Sequence, residues 1–293
     1  MKKSGPVSLS NETSGLQVQE LRQIVERALA EDLGSGDVTT RLTVPESKKA
    51  RGTFYSKQPL VVAGLPVAAE VFRMLEPDYG WDAMTSDGAN VTAGQPLARV
   101  EGKAATLLSG ERVALNFVQW LSGIATLTRE FKNQLVGLKT ELLDTRKTTP
   151  GQRLLEKYAV RMGGGSNHRM GLDDGILIKN NHIAMAGGIR AAIERARQQR
   201  PPGMLVEVEV CTRAELEEAI AAGADIALLD NMAPGEVAEC VRLTQGRIVL
   251  EVSGGVGLEN VRAYAETGVE RISVGALTHS APAADINFLI EPL

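Results

Sequence analysis

The 293-residue sequence is poor in the residues that build metal sites and disulfides. It contains two cysteines, Cys211 and Cys240, and three histidines, with neither a CxxC nor an HExxH motif. Because structural zinc is held by sets of Cys and His ligands, we do not expect such a site. The cysteines are about one βα unit apart, and we interpret them as small buried apolar residues in a reducing cytoplasm rather than as a disulfide.

Long apolar runs and a strong excess of one charge are also missing. No stretch reaches the length that spans a bilayer, and the polar start MKKSGPVSLSNETSG lacks the apolar centre of a signal peptide. We expect residues 1–15 to form a disordered tail and the protein to be cytoplasmic. The net charge of −4 argues against a general nucleic-acid or membrane-surface binder, and the 43% hydrophobic fraction is typical of a globular enzyme.

The length favours two domains, or one barrel with an addition. Leu21, Ile24, Val25, Ala28 and Leu29 recur at helical spacing, so the folded part is predicted to open with a helix. Residues 50–103 mix strand-like and helical patterns, which indicates a small α+β unit. Residues 110–136 predict a helix long enough to bridge two domains.

From residue 138 onward, short apolar strand patterns alternate regularly with helical ones. The strands are rich in Val, Ile and Leu, as strands covered on both faces should be. Such an alternation predicts a parallel sheet in an α/β fold. The six strand patterns are KTELLDT, GILIKNN, MLVEVEV, IALLDN, RIVLEVS and RISVGAL.

Polar residues fall at the carboxyl end of each of these strands. An α/β barrel places its active site on that face, built from many strand ends, whereas a doubly wound sheet concentrates its site near one crevice. The pattern therefore favours a barrel, and with six strands we expect an open or incomplete one. The polar residues are Asp144, Lys179, Glu207, Glu209, Asp230, Glu251, Ser253 and Ser273.

The segment from Arg146 to His182 carries seven Lys or Arg residues against three acids, within a protein of negative net charge. We interpret Arg153, Lys157 and Arg161 as the solvated face of a helix. The remaining cations lie at strand ends or beside a glycine run and are predicted to bind a ligand with several negative charges. They are Arg146, Lys147, Arg169 and Lys179. A nucleophile pair of Ser166 and His168 is disfavoured, because no strained serine turn is present.

Three glycine-rich stretches suggest phosphate binding. MGGGSNHRMG (162–171) could present backbone N–H groups to an anion. SGGVGLENV (253–261) follows a strand and opens a helix, and SVGAL (273–277) lies at the next strand end, where barrels commonly hold a phosphate. The GxGxxG pattern of dinucleotide binding is not met.

Carboxylates follow two neighbouring strand patterns. Alternation puts Glu207 and Glu209 on the same side of a strand, and Asp230 ends the next strand. Carboxylates beside a phosphate site suit Mg²⁺, although a buried acid that only pairs with Lys179 or Arg146 remains an alternative. Together these features predict a phosphorylated sugar as ligand.

The motifs also resemble a known family. SGERVALNFVQWLSGIAT, DTRKTTPG, KYAVRMGGGSNHRMGLDDGILIKNNHI, VEVEV, LLDN, SGGV and ISVGALTHS are similar, in order and spacing, to quinolinate phosphoribosyltransferases. The resemblance runs from about Leu21 to the C-terminus. It implies an N-terminal α/β sandwich domain (16–125, with the bridging helix), an incomplete α/β barrel (126–280) and a C-terminal segment (281–293) packing back on the first domain.

The resemblance further implies a reaction. Quinolinate and phosphoribosyl pyrophosphate would give nicotinate mononucleotide, pyrophosphate and CO₂, with Mg²⁺ as cofactor. Arg112 would reach in from the neighbouring subunit of a homodimer. Lys179, Glu209 and Asp230 would be catalytic, and the last two would also face the metal. The implied substrate-binding residues, besides these four, are Thr145, Arg146, Lys147, His168, Arg169, Ser253, Gly254, Gly255, Val274, Gly275 and Ala276.

Three other functions are compatible with the residues. One is a paralogous phosphoribosyltransferase-like protein linked to molybdate transport. Another is an aldolase that forms a Schiff base with Lys179, because such enzymes use a lysine at a barrel strand end. The third is a phosphosugar sensor without catalysis, which would bind the ligand but not turn it over.

Overall fold

A computed structural model describes residues 18–293, which form two compact units. The tail expected at residues 1–15 lies outside the described residues. Unit 1 extends to Arg129 and also includes Thr149–Gly164 and Ser280–Leu293. Unit 2 consists of Glu130–Thr148 and Gly165–His279.

The elements up to the long helix alternate short strands with helices. In chain order they are α1 (Val18–Leu33), α2 (Val38–Thr43), β1 (Lys49–Ser56), β2 (Leu60–Val61), α3 (Leu65–Leu75), β3 (Gly80–Ala83), β4 (Asn90–Val91), β5 (Pro96–Lys103) and α4 (Ala104–Gln134). The helix predicted at 110–136 is confirmed as α4, which begins six residues earlier and ends two residues earlier than predicted.

The later elements follow the predicted strand–helix rhythm. They are β6 (Glu141–Leu143), α5 (Arg153–Gly163), β7 (Ile176–Ile178), α6 (Asn180–Ala186), α7 (Ile189–Gln199), β8 (Val206–Val210), α8 (Arg213–Ala222), β9 (Ile226–Asp230), α9 (Pro234–Thr244), β10 (Val249–Ser253), α10 (Val261–Glu266), β11 (Arg271–Ser273), α11 (Ala276–His279) and β12 (Ile286–Pro292).

Unit 1 is built around an antiparallel sheet with the strand order β12-β1-β5-β3. The C-terminal strand β12 lies at one edge, in a register that places Phe288 opposite Phe54. Their ring centroids are 4.5 Å apart, and Phe72 and Trp81 extend the same aromatic core. Helix α1 buries the apolar side that its spacing predicted.

Unit 2 contains a six-stranded parallel sheet with the order β6-β11-β10-β9-β8-β7. Most strand residues are buried and the others are half-buried, as their continuous apolar sequences predicted. Among residues 18–293, no strand pairs β6 with β7, so the sheet has two open edges. The predicted fold class, an open α/β arrangement with a smaller N-terminal domain, is confirmed. Within the same residues no helix combines the length and apolar character needed to cross a membrane.

Helix α5 corrects the interpretation of its charged residues. Lys157 is fully buried, and so are all its neighbours from Leu155 to Val160. The helix belongs to unit 1 and is covered around most of its circumference, so Lys157 is not part of a solvated face.

The first two glycines of the run, Gly163 and Gly164, have a packing and a helix-ending role, and anion binding by the run stays a prediction. A methyl group on Gly163 would lie 2.5 Å from the carbonyl oxygen of Ala125 and from Cβ of Thr128 on α4. Gly164 ends α5 with a φ of 92°, and its N–H donates to the carbonyl of Arg161. The run therefore lets two helices approach closely and terminates one of them.

The cysteines are both free thiols, and Cys240 is buried as predicted. Cys211 is exposed, contrary to the prediction, because it immediately follows β8 at the start of a turn rather than lying inside the strand.

Candidate active site

A cavity of about 600 Å³ lies at the carboxyl ends of the parallel strands. All its lining residues belong to unit 2. They lie in or shortly after each of the six strands, including the two edge strands β6 and β7, and in the loop before β7. The sheet is thus curved enough to bring its edges to one cavity, which is the property that distinguishes a barrel from a flat doubly wound sheet. The predicted residues in the lining are Thr145, Arg146, Lys147, His168, Arg169, Lys179, Glu209, Asp230, Ser253, Gly254 and Gly255.

Two arginines give the cavity an electropositive side. Arg146 follows β6 and Arg169 lies in the loop before β7, and both are half-buried. Burial, and then the positive charge of Arg146, lower the pKa of Arg169, while Glu207 acts in the opposite direction. Two guanidinium groups that disfavour each other in this way would be stabilised by an anionic ligand between them.

Arg169 is positioned by backbone contacts. One of its terminal nitrogens donates to the carbonyl oxygen of Gly175 at 2.8 Å, which fixes the side chain across the loop. The loop itself runs beside the free edge of β6, where Ser166 forms a parallel bridge with Leu143. This local pairing carries the loop residues along the strand toward the cavity.

Asp144, which the sequence showed as an acid at a strand end, stabilises this loop through hydrogen bonds. It is fully buried and accepts hydrogen bonds from the Asn167 side chain at 2.6 Å and from the backbone N–H of His168 at 2.9 Å. Its charge is therefore satisfied by the loop that presents His168 and Arg169, and it lies outside the cavity lining.

His168 is held at both ring nitrogens by the protein. Its Nδ1 accepts the backbone N–H of Arg169 at 2.7 Å, and its Nε2 lies 3.1 Å from Glu207 and 3.5 Å from Glu251. An accepting Nδ1 leaves the proton on Nε2, which then donates to Glu207. Both ring nitrogens are therefore engaged within the protein. The imidazole helps to position Arg169, and it has no ring nitrogen left to bind a ligand.

These three side chains also have the composition of a cation site. Ligand atoms of His168, Glu207 and Glu251 all lie within 4.8 Å of one another. A metal would need the lone pair of Nε2, but that nitrogen carries the proton in the arrangement above. We therefore assign the cluster to hydrogen bonding. Sequence alternation placed Glu207 and Glu209 on one side of β8 but could not show that they serve different clusters.

Glu209 and Lys179 face each other in the cavity. Nζ of Lys179 is 3.7 Å from Oε2 of Glu209, and half of the Lys179 side chain is exposed. The backbone N–H of Lys179 donates to Nδ1 of His182, at the start of α6. The lysine head is thus presented to the solvent-filled side of the cavity, with a carboxylate as its nearest anionic neighbour.

Asp230 ends β9 and shares the side of the sheet that Glu209 occupies. Glu209 pairs in register with Leu228, two residues before Asp230, so these side chains project in the same direction. Asp230 accepts a hydrogen bond from the Asn231 side chain at 2.9 Å. Oxygen donors on adjacent strands of one cavity are suited to a hard cation such as Mg²⁺.

The glycine turn after β10 interlocks with the end of β9. Gly254 and Gly255 have φ angles of 89° and 64°, and a side chain on Gly254 would collide with the amide of Asn231. The N–H of Asn231 also donates to the carbonyl of Ser253 at 2.9 Å. Helix α10 begins only at Val261, so its N-terminus does not adjoin the glycines as predicted. The candidate phosphate site therefore consists of the glycine turn alone.

Three predicted residues lie beside the cavity rather than in its lining. Val274 is buried and its N–H donates to the carbonyl of Leu143, which joins the end of β11 to the end of β6. Gly275 is packed against the side chains of Lys147 and His279, and Ala276 starts the short helix α11. Arg112 belongs to unit 1, on α4, where it is exposed.

The cavity also contains residues that were not among the predicted binding residues. Two of them, Glu251 and Ser273, could have been predicted from the sequence, since each is a polar residue near the end of an apolar strand pattern. The others are an asparagine with a φ of 56° and two leucines, which sequence patterns do not distinguish from turn and core residues. The five are Leu177, Leu228, Asn231, Glu251 and Ser273.

Comparison with known proteins covers both units. Residues 37–122 match the family model for the quinolinate phosphoribosyl transferase N-terminal domain, and residues 124–289 match that for the C-terminal domain. The chain belongs to the quinolinate phosphoribosyltransferase family. It is 44% identical over 268 residues to a Bacillus subtilis (strain 168) protein named probable nicotinate-nucleotide pyrophosphorylase [carboxylating], with 92% of each chain covered.

Other members are similar over nearly their whole length. A Mycobacterium leprae nicotinate-nucleotide pyrophosphorylase [carboxylating] is 42% identical over 282 residues, which are 93% of this chain and 98% of that one. The solved structure of the Francisella tularensis nicotinate-nucleotide pyrophosphorylase superimposes with a TM-score of 0.91 at 39% identity. That match covers 96% of this chain and 100% of the other, so the family likeness extends through both units.

Proposed function

We propose that this family member transfers the phosphoribosyl group of phosphoribosyl pyrophosphate to quinolinate, with decarboxylation. The products are nicotinate mononucleotide, pyrophosphate and CO₂, on the route to NAD. The observation that carries the proposal is the composition of the cavity. Four cations, two half-buried carboxylates and a glycine turn meet there, from the six strands and the loop before β7. This set matches one substrate with two carboxylates and another with a phosphate, a ribose and a pyrophosphate.

The arginine side of the cavity suits quinolinate. Arg146 and Arg169 provide planar donors for two neighbouring carboxylates, and His168 fixes the loop from which Arg169 projects. The turn at Gly254 and Gly255 suits the 5′-phosphate, because its backbone can approach the phosphate oxygens closely. With both ends anchored, the ring nitrogen of quinolinate faces the anomeric carbon of the ribose.

Magnesium is part of the proposal, held by Glu209 and Asp230. The donor set fits, since both are carboxylates of adjacent strands and project into one cavity beside the anionic ligands. Mg²⁺ takes one or two carboxylates together with water and substrate oxygens. When bound it would neutralise charge on the pyrophosphate oxygens.

The remaining chemistry depends on fixed charges. As the bond from ribose to pyrophosphate breaks, positive charge develops on the sugar and negative charge on the leaving group. In this proposal Lys179 and Lys147 stabilise the leaving group, and the carboxylates Glu209 and Asp230 stabilise the sugar cation. All four line the cavity. Once the ring nitrogen is alkylated, the pyridinium accepts the electron pair released with CO₂, and the ring carbon then takes a proton. No covalent nucleophile is needed.

A homodimer in which Arg112 contributes to the neighbouring subunit's site also belongs to the proposal. Arg112 is an exposed cation on α4, and its neighbour Glu111 is partly buried. Burial raises the pKa of Glu111, with Arg112 opposing that rise. An exposed arginine on a rigid helix is available to a partner's anionic ligand. We also propose a cytoplasmic location, in keeping with the two free thiols.

The Schiff-base alternative is less well supported by the site. A lysine that attacks a carbonyl must lose its proton, which burial among apolar groups promotes. The Lys179 side chain is half exposed and lies 3.7 Å from the carboxylate of Glu209, so it is not enclosed among apolar groups.

The decisive experiment is an assay of the purified protein with quinolinate, phosphoribosyl pyrophosphate and Mg²⁺. We expect pyrophosphate and CO₂ in a one-to-one ratio, both dependent on quinolinate. Binding of phosphoribosyl pyrophosphate without turnover would favour a sensor. Borohydride trapping of a sugar phosphate on Lys179 would favour the aldolase, and in either case the proposal would be wrong.

A further inference from the structure

The buried end of the cavity is formed by a carboxyl group that the proposed reaction does not use. Glu251 lies on β10, is fully buried, and lines the same cavity as Arg146 and Arg169. Glu207, in contrast, lines a second cavity of about 320 Å³, which shares His168 and Arg169 with the first. An ionised Glu251 would therefore add a negative charge at the place where a dianionic substrate binds.

The surroundings of Glu251 contain charges of both signs. Glu207 faces it from β8, His168 from the loop beside β6, and Arg271 and Ser273 from β11, while Leu228 is its register partner on β9. Nε2 of His168 lies 3.1 Å from Glu207 and 3.5 Å from Glu251, so a proton on this nitrogen is shared more closely with Glu207. The imidazole thus donates to Glu207. Glu251 receives no such hydrogen bond and is more stable as the protonated acid.

Hydrogen bonding gives Glu251 little support as an anion. The Ser273 hydroxyl approaches it, but neither carboxyl oxygen accepts a hydrogen bond of normal geometry from residues 18–293. A buried carboxylate in that condition is strongly disfavoured relative to the neutral acid. Burial, followed by the charge of Glu207, raises the pKa of Glu251 to about 7, against the opposing effects of His168, Ser273 and Arg271.

We propose that Glu251 is a proton-linked positioning residue, whose carboxyl group must be neutral for quinolinate to occupy the cavity. This rests on the proposed function, because it takes quinolinate as the dianion. The neutral acid keeps the cavity electropositive and lets His168 pair with Glu207 alone, so that the loop holds Arg169 in place. The ionised form would repel the substrate and compete with Glu207 for the imidazole proton.

The sign of the pH dependence follows from this assignment. Below neutral pH Glu251 is protonated in the empty site, and quinolinate binds at full strength. As the pH rises above 7 the empty site loses the proton, so the apparent affinity falls by about tenfold per pH unit, the limit for a strictly required proton. Quinolinate binding raises the pKa of Glu251 further, so binding takes up protons from the solvent.

The test compares the parent protein with Glu251→Gln, which mimics the neutral acid at every pH. Calorimetry gives the Kd of quinolinate from pH 6 to 9, and steady-state assays at saturating phosphoribosyl pyrophosphate and Mg²⁺ give kcat/KM for quinolinate. We expect the parent to weaken above pH 7 and the variant to stay flat. At pH 8.5 the variant should bind quinolinate roughly tenfold or more tightly than the parent.

Proton uptake provides a second readout that does not depend on the variant. Calorimetric titrations of the parent at pH 8, in two buffers with different protonation enthalpies, should show uptake of up to about one proton per quinolinate. Glu156→Gln is the matched control. Glu156 is equally buried, in unit 1, and burial raises its pKa as well, so its replacement should leave the parent's pH dependence of quinolinate binding in place.

Several outcomes would overturn the inference. A Glu251→Gln variant that binds more weakly by the same factor at every pH would show a purely structural role. A parent whose quinolinate affinity is flat from pH 6 to 9, without proton uptake, would show that Glu251 does not titrate on binding. Loss of a bound divalent metal in the variant would show that Glu251 is a ligand. If quinolinate neither binds nor turns over at any pH, the proposed function itself is wrong and the inference falls with it.

Discussion

At the scale of single residues, the proposed reaction gives Lys179 the role of stabilising charge that forms as pyrophosphate leaves. It directly follows β7, its side chain is half exposed, and it forms an ion pair with Glu209. The glycine turn proposed to bind the 5′-phosphate follows another strand, β10, so under the proposal the lysine is not needed to anchor the phosphosugar. Its interaction with the leaving group should be stronger in the transition state than in the ground state.

We therefore expect Lys179→Ala to lower kcat and kcat/KM together, by roughly 10²-fold or more, and to leave the affinity for phosphoribosyl pyrophosphate nearly unchanged. Steady-state kinetics and calorimetric binding with Mg²⁺ measure the two effects. Lys57→Ala, which removes a lysine paired with Asp285 in unit 1, is the control and should keep the parent's kinetics. A near-normal kcat with only a raised KM would make Lys179 a plain binding residue.

The paired arginines lead to a prediction about substrate choice. Arg146 and Arg169 disfavour each other when the cavity lacks an anion, and two carboxylates compensate them better than one. Nicotinate has a single carboxylate and would leave one of these donors without its partner. We expect kcat/KM for nicotinate to be roughly 10³-fold or more below that for quinolinate, measured as pyrophosphate release. Similar kcat/KM values for the two acids would show that the arginines do not bind the second carboxylate of quinolinate.

How far the sequence predicts individual residues depends on how local their environment is. Lys179 and Asp230 end apolar strands, and strand ends of a parallel sheet meet at one edge, so their shared cavity was predictable. Glu251 was visible as a strand-end acid, but its partners His168 and Glu207 come from a loop and from a strand that is not adjacent in the sheet. Strand alternation predicts which face of the sheet each side chain occupies. It does not predict which strands lie next to each other in the sheet.

At the scale of secondary-structure elements, the contact between α4 and α5 depends on one glycine. Gly163 lies at the C-terminal end of α5, where a methyl group would be 2.5 Å from a carbonyl oxygen and a Cβ of α4. Backbone atoms cannot move away as a flexible side chain can, so the two helices would have to separate. Overpacking of this kind costs about 1–3 kcal/mol.

Gly163→Ala should therefore lower the melting temperature, by roughly 2–4 °C for each kcal/mol lost. Differential scanning calorimetry measures the change. Gly235→Ala is the matched control, because Gly235 lies in the first turn of α9 with no atom within 4 Å of an added methyl group. That variant should melt at the parent temperature or slightly above it. Equal melting temperatures for the two variants would mean that α4 and α5 are not in tight contact at Gly163.

The elements themselves were largely predictable, because apolar runs of four or five residues and helical spacing are local signals. The burial of α5 was not. Its sequence, with Arg153, Lys157 and Arg161, reads equally well as a solvated helix, and only the helices and strands packed around it decide that Lys157 is enclosed. The same applies to the glycines that follow, since a packing glycine and an anion-binding glycine have the same sequence.

At the scale of the whole molecule, the chain crosses between its two units more often than a simple two-domain order predicts. Residues 149–164 return to unit 1 between two strands of unit 2, and the last strand pairs with β1 in unit 1. Sequence patterns show the order of the helices and strands but not the unit to which each of them belongs. The division also separates Arg112, in unit 1, from the cavity residues, all in unit 2.

Complementation between inactive variants tests the proposed homodimer with a shared arginine. Arg112→Ala and Arg169→Ala should each be inactive while remaining folded, because each removes a cation that the substrates need. If Arg112 acts in the partner's site, a hybrid dimer of the two variants contains one site with both arginines and one site with neither. Mixing the proteins and allowing subunit exchange should therefore restore activity.

The expected recovery has a definite ceiling. With random exchange from equal amounts, about half of the dimers are hybrids and each has one complete site of two, so activity should approach about one quarter of the parent value. Size-exclusion chromatography and a tag on one variant establish that hybrids form. The control mixes Arg112→Ala with Lys57→Ala,Arg112→Ala, a pair in which every site lacks Arg112 and no activity should return. Hybrids that form without recovery would place the action of Arg112 within its own chain, because a residue supplied in cis cannot be replaced by a partner.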